Sequence, residues 1–290
     1  MKLAIGIATI GRAAVLREVL AELHRQSRAP DRVLICHTSA ADVVGCELAW
    51  PGADFLISAP GLPEQRNKIL DAAADCDVVL FLDDDFLPQP DYLAVLEACF
   101  TADPAMVVAT GQVIADGAKG PGLGVDEGRR LLAADTVRPP PLETVPAFNG
   151  YGCNMAVLMA TVRAQAIRVD EQLPLYAWYE DLDFTRLLGR HGSIRRLPAA
   201  RGVHLGVKLG RGSGVRLGYS QVVNPIYLGR KGTYPWNRSL RSIARHCLMN
   251  LLRSLAPEPW VDRWGRFRGN MAGLWDVLRG RAHPMRVMRF

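Results

Sequence analysis

Val78-Val79-Leu80-Phe81-Leu82-Asp83-Asp84-Asp85 decides how this chain is read, because five apolar residues run without alternation into three aspartates. A short unalternating run predicts a strand covered on both faces, and in open α/β sheets the carboxyl end of such a strand opens into the ligand crevice. Three adjacent carboxylates at one mouth repel one another unless a cation sits among them. All-oxygen ligation suits Mg2+ or Mn2+ better than zinc. The competing explanation is a solvated acidic turn capping the next helix, since Pro88 and Pro90 follow closely.

On either side of this run, strand-like and helix-like stretches alternate. Strands are expected over 3–9, 32–36, 54–58, 77–82 and 105–114. Helices are expected after Gly11-Arg12, where Val15, Val19, Leu20 and Leu23 share a face, and over 62–74 and 91–100. The alternation predicts a doubly wound, mostly parallel sheet with helices on both faces. Residues 115–146, rich in Gly and Pro and including Pro139-Pro140-Pro141, show little periodicity and read as a long loop that is functional or mobile. Beyond it a strand-like run at 155–159, a helix at 179–190 and a strand at 193–205 are expected. In 205–218, Gly206, Gly210, Gly212, Gly214 and Gly218 stand among Lys208, Arg211 and Arg216. That stretch reads either as a phosphate-approaching loop or as a solvated connection.

With 290 residues, 49% of them hydrophobic, the chain can bury one large core, or a core plus a modest appendage. Six scattered cysteines form neither a CxxC pair nor a zinc spacing and point to a reducing compartment. Neither a signal peptide nor a membrane-spanning segment is expected. The formal charge of +6 is uneven: 238–290 holds eleven arginines against Glu258, Asp262 and Asp276. The basicity therefore belongs to a tail that meets something anionic. Within it, Leu240, Ile243, Ala244, Cys247, Leu248, Leu251, Leu252 and Leu255 fall on one helical stripe, with Arg238, Arg241, Arg245, His246 and Arg253 away from it. Two readings stay open: the stripe lies in an anionic membrane interface, helped by Trp260, Trp264, Phe267 and Trp275, or it docks on the catalytic body. No nucleic-acid reader motif accompanies the arginines, so nucleic acid is not read as a partner.

A second acidic cluster, Glu180-Asp181-Leu182-Asp183, opens the helix expected at 179–190 and follows Tyr176-Ala177-Trp178-Tyr179. Alone it reads as helix-capping acid. Paired with a metal-type triplet, a carboxylate available as base is what a transferase using nucleotide diphosphates needs.

Taken together, these motifs resemble the inverting family 2 glycosyltransferases, which have the GT-A fold, over roughly residues 3 to 230. Thr9-Ile10-Gly11-Arg12 is similar to the family's nucleotide-contacting opening, Leu62-Pro63-Glu64-Gln65-Arg66-Asn67 to its Arg-Asn helix start, and Phe81-Leu82-Asp83-Asp84-Asp85 to its DXD motif. The resemblance implies donor contacts from Thr9, Arg12, Arg66, Asn67, Asp83 and Asp84, with Asp83 facing ribose. It also implies a Mg2+ or Mn2+ held by Asp85, with His204 as a further ligand. Asn149-Gly150-Tyr151-Gly152-Cys153-Asn154-Met155 resembles the acceptor-side segment, Val169-Asp170-Glu171 the Phe-Asp-Glu segment, and Glu180-Asp181-Leu182-Asp183 the ED motif. Asp181 would then be the base, with Asn149, Gly150, Trp178 and Glu180 on the acceptor side.

The second strand departs from the family by running Cys36-His37-Thr38-Ser39 where an aspartate usually meets the nucleotide base. Thr38 or Ser39 as a weaker acceptor, or Asp54, would have to replace it, and UDP is only the family's default. Ile226-Tyr227-Leu228-Gly229-Arg230-Lys231 is similar to the segment after the catalytic domain of polysaccharide-assembling members, which work at the cytoplasmic membrane. The resemblance thus implies a catalytic domain over 1–230, with a donor half at 1–114 and an acceptor half at 115–230, then a basic helical tail at 231–290. It implies sugar transfer from a nucleotide-sugar to a glycan or lipid-linked acceptor, in the cytoplasm or at the membrane's inner face. Two other readings stay open, a sugar-phosphate nucleotidyltransferase and a catalytically degenerate scaffold.

Overall fold

The computed structural model describes residues 1–208 and 213–290. Contacts divide the chain into two compact units, one of 1–60, 64–168 and 187–208, the other of 61–63, 169–186 and 213–290.

The first unit is built on one sheet. Its early part runs β1 (Leu3–Ala8), α1 (Ala13–Leu23), β2 (Arg32–His37), α2 (Cys46–Ala49), β3 (Asp54–Ile57), α3 (Leu62–Ala72) and β4 (Val78–Asp83). Leu3, Ala4, Ile5 and Ile7 of β1 and Val78 to Leu82 of β4 are all buried, which is why neither sequence alternates. Leu16, Val19, Leu20 and Leu23 put one face of α1 into the same core. The later part runs β5 (Phe86–Pro88), α4 (Tyr92–Ala102), β6 (Met106–Asp116), α5 (Val125–Ala134), β7 (Val145–Pro146), β8 (Asn154–Leu158), α6 (Met159–Ala164), α7 (Glu180–Leu188) and β9 (Ser193–His204), with only the end of α7 in this unit.

Among the described residues the strand order is β3-β2-β1-β4-β8-β6-β9-β5, with β7 also on β9. From β3 to β4 all neighbours are parallel, as the alternation of strands and helices predicts. The chain leaves β1 on one side for β2 and returns on the other as β4, so the carboxyl ends of β1 and β4 form a topological switch point. β8 enters antiparallel between β4 and β6, making the sheet mixed. β6 and β9 run parallel with three register shifts, and their last pairing sets Asp116 opposite His204.

The stretch 115–146 is more structured than its composition predicts. It holds a 3-10 turn at Gly117–Lys119, the helix α5 and the strand β7. Arg129 of α5 reaches Glu18 and Glu22 of α1, and Gly128 lets that helix sit against Leu205. These stabilising partners are all distant in sequence, so local periodicity does not report the helix.

The second unit contains the start of α7 and the helices α8 (Gly214–Lys231), α9 (Trp236–Arg253) and α10 (Arg263–Leu278), then a 3-10 turn at Pro284–Arg289. Tyr219, Val223 and Val287 make one apolar cluster, and Val222, Ile226 and Ile243 another. Asn250 donates to Gln221 and to Asn270, whose own amide donates to the Gly218 carbonyl, so the buried amides satisfy one another. The α9 stripe divides. Ile243 is buried and Cys247 partly so, but Leu240, Leu248, Leu251 and Leu252 are exposed, because Ser239, Ile243 and Asn250 define the face that packs.

All six cysteines are free thiols. Among the described residues no helix is long and apolar enough to cross a membrane.

Candidate functional site

The three aspartates at the end of β4 have three different surroundings. Asp84 is buried; Thr9 donates its hydroxyl to Asp84 Oδ2 at 2.7 Å, and Arg12 Nη1 donates to Oδ1 at 2.8 Å. Both donors stand at the end of β1, so Asp84 closes the switch point from within. Burial pushes its carboxyl up to about 7 against the pull of Arg12 and Thr9. Both Asp84 oxygens are thus engaged by residues of its own unit, whereas the family resemblance assigns this acid to the donor.

Asp85 is also buried, and its Oδ2 accepts the Val207 amide at 2.7 Å. Its Oδ1 is buried without a well-formed hydrogen bond among the described residues. His204 Nε2 lies 3.4 Å from that oxygen and 3.7 Å from Asp83 Oδ2. Asp83 is the most open of the three, with its side chain about a third exposed. One oxygen each from Asp83 and Asp85 and one nitrogen of His204 lie within 4.8 Å of one another. An orphaned carboxylate oxygen beside a second carboxylate and an imidazole fits a divalent cation.

Asp116 completes this group from behind. Its Oδ1 lies 2.9 Å from His204 Nδ1, its Oδ2 accepts the Tyr151 hydroxyl at 3.2 Å, and the Ala118 amide donates to it. A carboxylate on Nδ1 fixes that nitrogen as the protonated one and turns Nε2 toward Asp83 and Asp85, which is how outer carboxylates orient metal-binding histidines. Burial opposes a charge on His204, but Asp116 and Asp85 outweigh it and push the imidazole up to about 10. The charged ring here compensates the acids, a task a cation would take over. Two glycines permit this approach. A Cβ on Gly117 would overlap the Leu205 carbonyl, and Gly206, in the left-handed region at φ 65°, packs against the Ala118 amide.

On the other side of Asp83, buried Arg66 donates to the Gly152 carbonyl at 2.8 Å, with its Nη2 3.6 Å from Asp83 Oδ1. Its guanidinium also lies over the Phe81 ring. Neighbouring Asn67 is buried, and Gln65 ties the ends of β1 and β2 together by donating to the Thr9 and Cys36 carbonyls. Asn149 and Gly150 precede β8; the Asn149 amide donates to the Gly150 carbonyl, and the Tyr151 amide donates to Thr110.

Two residues near the ends of β2 and β3 differ from expectation. Asp54 starts β3 at the amino edge of the sheet, where it pairs with Arg32 at 2.7 Å, so it lies at the edge opposite Asp84 and does not supply the missing second-strand acid. Asp42, which sequence reading missed, is the buried acid at the carboxyl edge. It accepts the amides of Gly11, Thr38 and Ser39 and the Thr38 hydroxyl. Burial opposes its charge, but those donors prevail and hold it down at about 2. Thr38 therefore spends its proton on Asp42 and keeps its oxygen as an acceptor.

From the glycine-rich stretch, the Val207 carbonyl accepts from Arg12, and Lys208 donates to the Gly117 and Ala118 carbonyls. Gly210, Arg211 and Gly212 lie outside the described residues, and Gly214 and Gly218 belong to α8.

The second unit carries the other acidic cluster. Leu175, Ala177 and Tyr179 all adopt positive φ, at 64°, 50° and 73°, immediately before α7. Such a concentration of strain persists only where surrounding structure sustains it. Trp178 is held through its carbonyl by Asn224. Glu180 is buried and Asp181 half-buried at the helix start. Asp183 is fully buried and accepts both Lys231 and Thr233 at 2.6 Å; the same ammonium also meets Asp170.

No family model matches this sequence, and no curated protein matches it. Solved structures match the fold. The mannosyltransferase PcManGT from Pyrobaculum calidifontis, in complex with GDP-Man and Mn2+, aligns with a TM-score of 0.58 at 13% identity, over 95% of this chain and 87% of that one. TarS of S. aureus aligns at 0.52 with 16% identity over 89% of this chain, which spans only 44% of that longer protein. Glucosyl-3-phosphoglycerate synthase from Mycobacterium tuberculosis, with Mg2+ and UDP, aligns at 0.50 with 19% identity over 81% and 80% of the two chains. At such identities the likeness is one of architecture, and it gives this chain the GT-A fold of glycosyltransferases.

Proposed function

We propose that this protein is a metal-dependent inverting glycosyltransferase that moves a sugar from a nucleoside diphosphate to an acceptor hydroxyl. The observation that carries the reading is the orphaned Asp85 Oδ1 beside Asp83 and His204 at the switch point between β1 and β4. Asp83, Asp85 and His204 would hold Mg2+ or Mn2+, which when bound neutralises charge on the departing diphosphate. That similar folds have been solved with GDP-Man and Mn2+, or with Mg2+ and UDP, supports the donor class.

In this reading the ends of β1 and β2, with Thr38 as acceptor, bind the nucleoside, and Arg66 and Asn67 border the sugar-diphosphate beside Asp83. Asp181 takes the proton from the acceptor hydroxyl as that oxygen bonds to the anomeric carbon and the bond to the diphosphate oxygen breaks. One displacement inverts the anomeric centre. Asn149, Gly150, Trp178 and Glu180 are assigned to the acceptor, a glycan or lipid-linked hydroxyl. The reading keeps the catalytic domain at 1–230 and the basic helical tail at 231–290, with the protein in the cytoplasm or at the inner face of the cytoplasmic membrane.

The test is a melting-temperature screen of UDP-, GDP- and other nucleotide-sugars with and without Mn2+. A rise that requires both donor and metal, and is lost in Asp85→Ala, is expected. No metal-dependent rise with any nucleotide-sugar would reject the reading.

A further inference from the structure

We propose that the exposed apolar faces of α9 and α10 dock on the surface of an anionic phospholipid bilayer. This goes beyond the catalytic reading and does not depend on it. Large apolar side chains facing solvent concentrate in the last fifth of the chain. On α9, Leu240, Leu248, Leu251 and Leu252 are each 44–57% exposed, and Leu255 just past the helix is 86% exposed. At about 100° per residue these leucines share one face, and Arg241 and Arg245 lie along its flank, away from the packed Ser239, Ile243 and Asn250. α10 repeats the pattern. Trp264, Met271, Trp275 and Leu278 face outward on the side opposite the buried Gly265, Gly269 and Gly273, with Arg268 among them. Arg279 stacks on the Trp275 ring at 4.3 Å.

Charge selects the occupant. The three acids of 238–290 are all engaged within the segment. Glu258 is paired with Arg253 and Arg263, Asp276 with Arg281 and Arg286, and Asp262 accepts the Gly265 amide. Exposed Arg241, Arg245 and Arg268 have no acidic partner among the described residues. Leucine and tryptophan faces edged by uncompensated arginines match an interface whose headgroups are negative and whose next layer is hydrocarbon.

The experiment is flotation of the full chain with phosphatidylglycerol vesicles and with phosphatidylcholine vesicles, scored without donor or metal, so that it succeeds or fails separately from the catalytic test. Parental protein should float with the anionic vesicles only, less so as salt rises, with a blue shift of tryptophan emission that Trp264→Phe/Trp275→Phe diminishes. Leu248→Ser/Leu252→Ser, which removes exposed side chains and should keep the parental melting temperature, should weaken partitioning roughly tenfold. Three results would overturn the proposal: no flotation with phosphatidylglycerol; equal flotation of parent and double variant, which marks a purely electrostatic polyanion site; or a parental dimer that the double variant dissolves without any vesicle binding, which marks the face as an interface between copies.

Discussion

Asp84 and Asp183 belong to different units, yet each is a buried carboxylate clasped by one threonine hydroxyl and one cation. Thr9 and Arg12 hold the first, Thr233 and Lys231 the second. Burial pushes both up in pKa. Each stands in an acidic cluster that also holds a less enclosed member, Asp83 in the first and Asp181 in the second. The two clusters differ in what remains after the clasp. The β4 triplet leaves a buried oxygen of Asp85 facing Asp83 and an imidazole, a cation's environment. The α7 cluster leaves Asp181 half-buried at a helix start that three left-handed residues force into place. A run of acids in a sequence is therefore a mixture of structural and chemical carboxylates, and the partners of each acid tell them apart.

The largest effect expected from this contrast lies within the second cluster. Asp181→Asn should lower transfer by about 10²–10⁴-fold while leaving nucleotide-sugar binding and the melting temperature unchanged. Asp183→Asn should instead lower the melting temperature, because Lys231 loses a buried counter-charge and an amide nitrogen replaces one accepting oxygen. Steady-state kinetics beside calorimetry separates the two, and parental kcat in Asp181→Asn would remove its assignment as base.

The first cluster offers the converse. Arg12→Met should cost about 3–5 kcal/mol of stability in urea unfolding at neutral pH, as when one partner of a buried pair is removed. Its pH dependence identifies the cause. Asp84 has a folded value near 7, above its unfolded 3.8, so protonation favours the folded state. Arg12 lowers that value in the parent, so without it Asp84 titrates above 7, and the variant's deficit against the parent should narrow as pH falls toward 7 and stay constant below it. A deficit that does not change with pH above 7 would mean that packing, not the stranded carboxylate, is responsible.

The legible parts of this molecule are those whose signal is local. β1 and β4 are readable because burial on both faces leaves unbroken apolar runs, and the metal-type acids because charge ends such a run. The direction of β8 is not, since Asn154–Leu158 is apolar whichever way it runs. α5 is hidden because its ion pairs are with α1, about a hundred residues away. Asp116 escapes for a related reason: only the register of β6 on β9 sets it opposite His204. Asp42 does leave a trace, for Ser39-Ala40-Ala41-Asp42 has the spacing in which an acid reaches back to a cap amide. The α9 stripe misleads, because a continuous apolar stripe reports amphipathicity but not which part finds a partner.

Asp116 gives a smaller, sharper test of which carboxylates serve the cation. Asp116→Asn keeps a hydrogen bond to His204 but no longer holds charge against Nδ1. Mn2+ affinity, measured by calorimetry with UDP present, should fall about 10–100-fold, with the fold intact. Affinity equal to the parent's would show that the Asp116 charge does not serve the cation.

The smallest expected effect concerns Asp42, whose burial resembles that of Asp84 but whose donors are mostly backbone amides. Four donors keep its folded value near 2, below the unfolded 3.8. The sign is therefore opposite to that of Asp84: the stability Asp42 contributes is present above 3.8 and disappears as pH falls through 2. Asp42→Asn should cost about 1–3 kcal/mol near neutral pH, and its deficit relative to the parent should shrink in acid, whereas the Arg12→Met deficit narrows only above pH 7. Urea unfolding of both variants across pH therefore separates a carboxylate held charged by amides from one that burial drives toward neutrality.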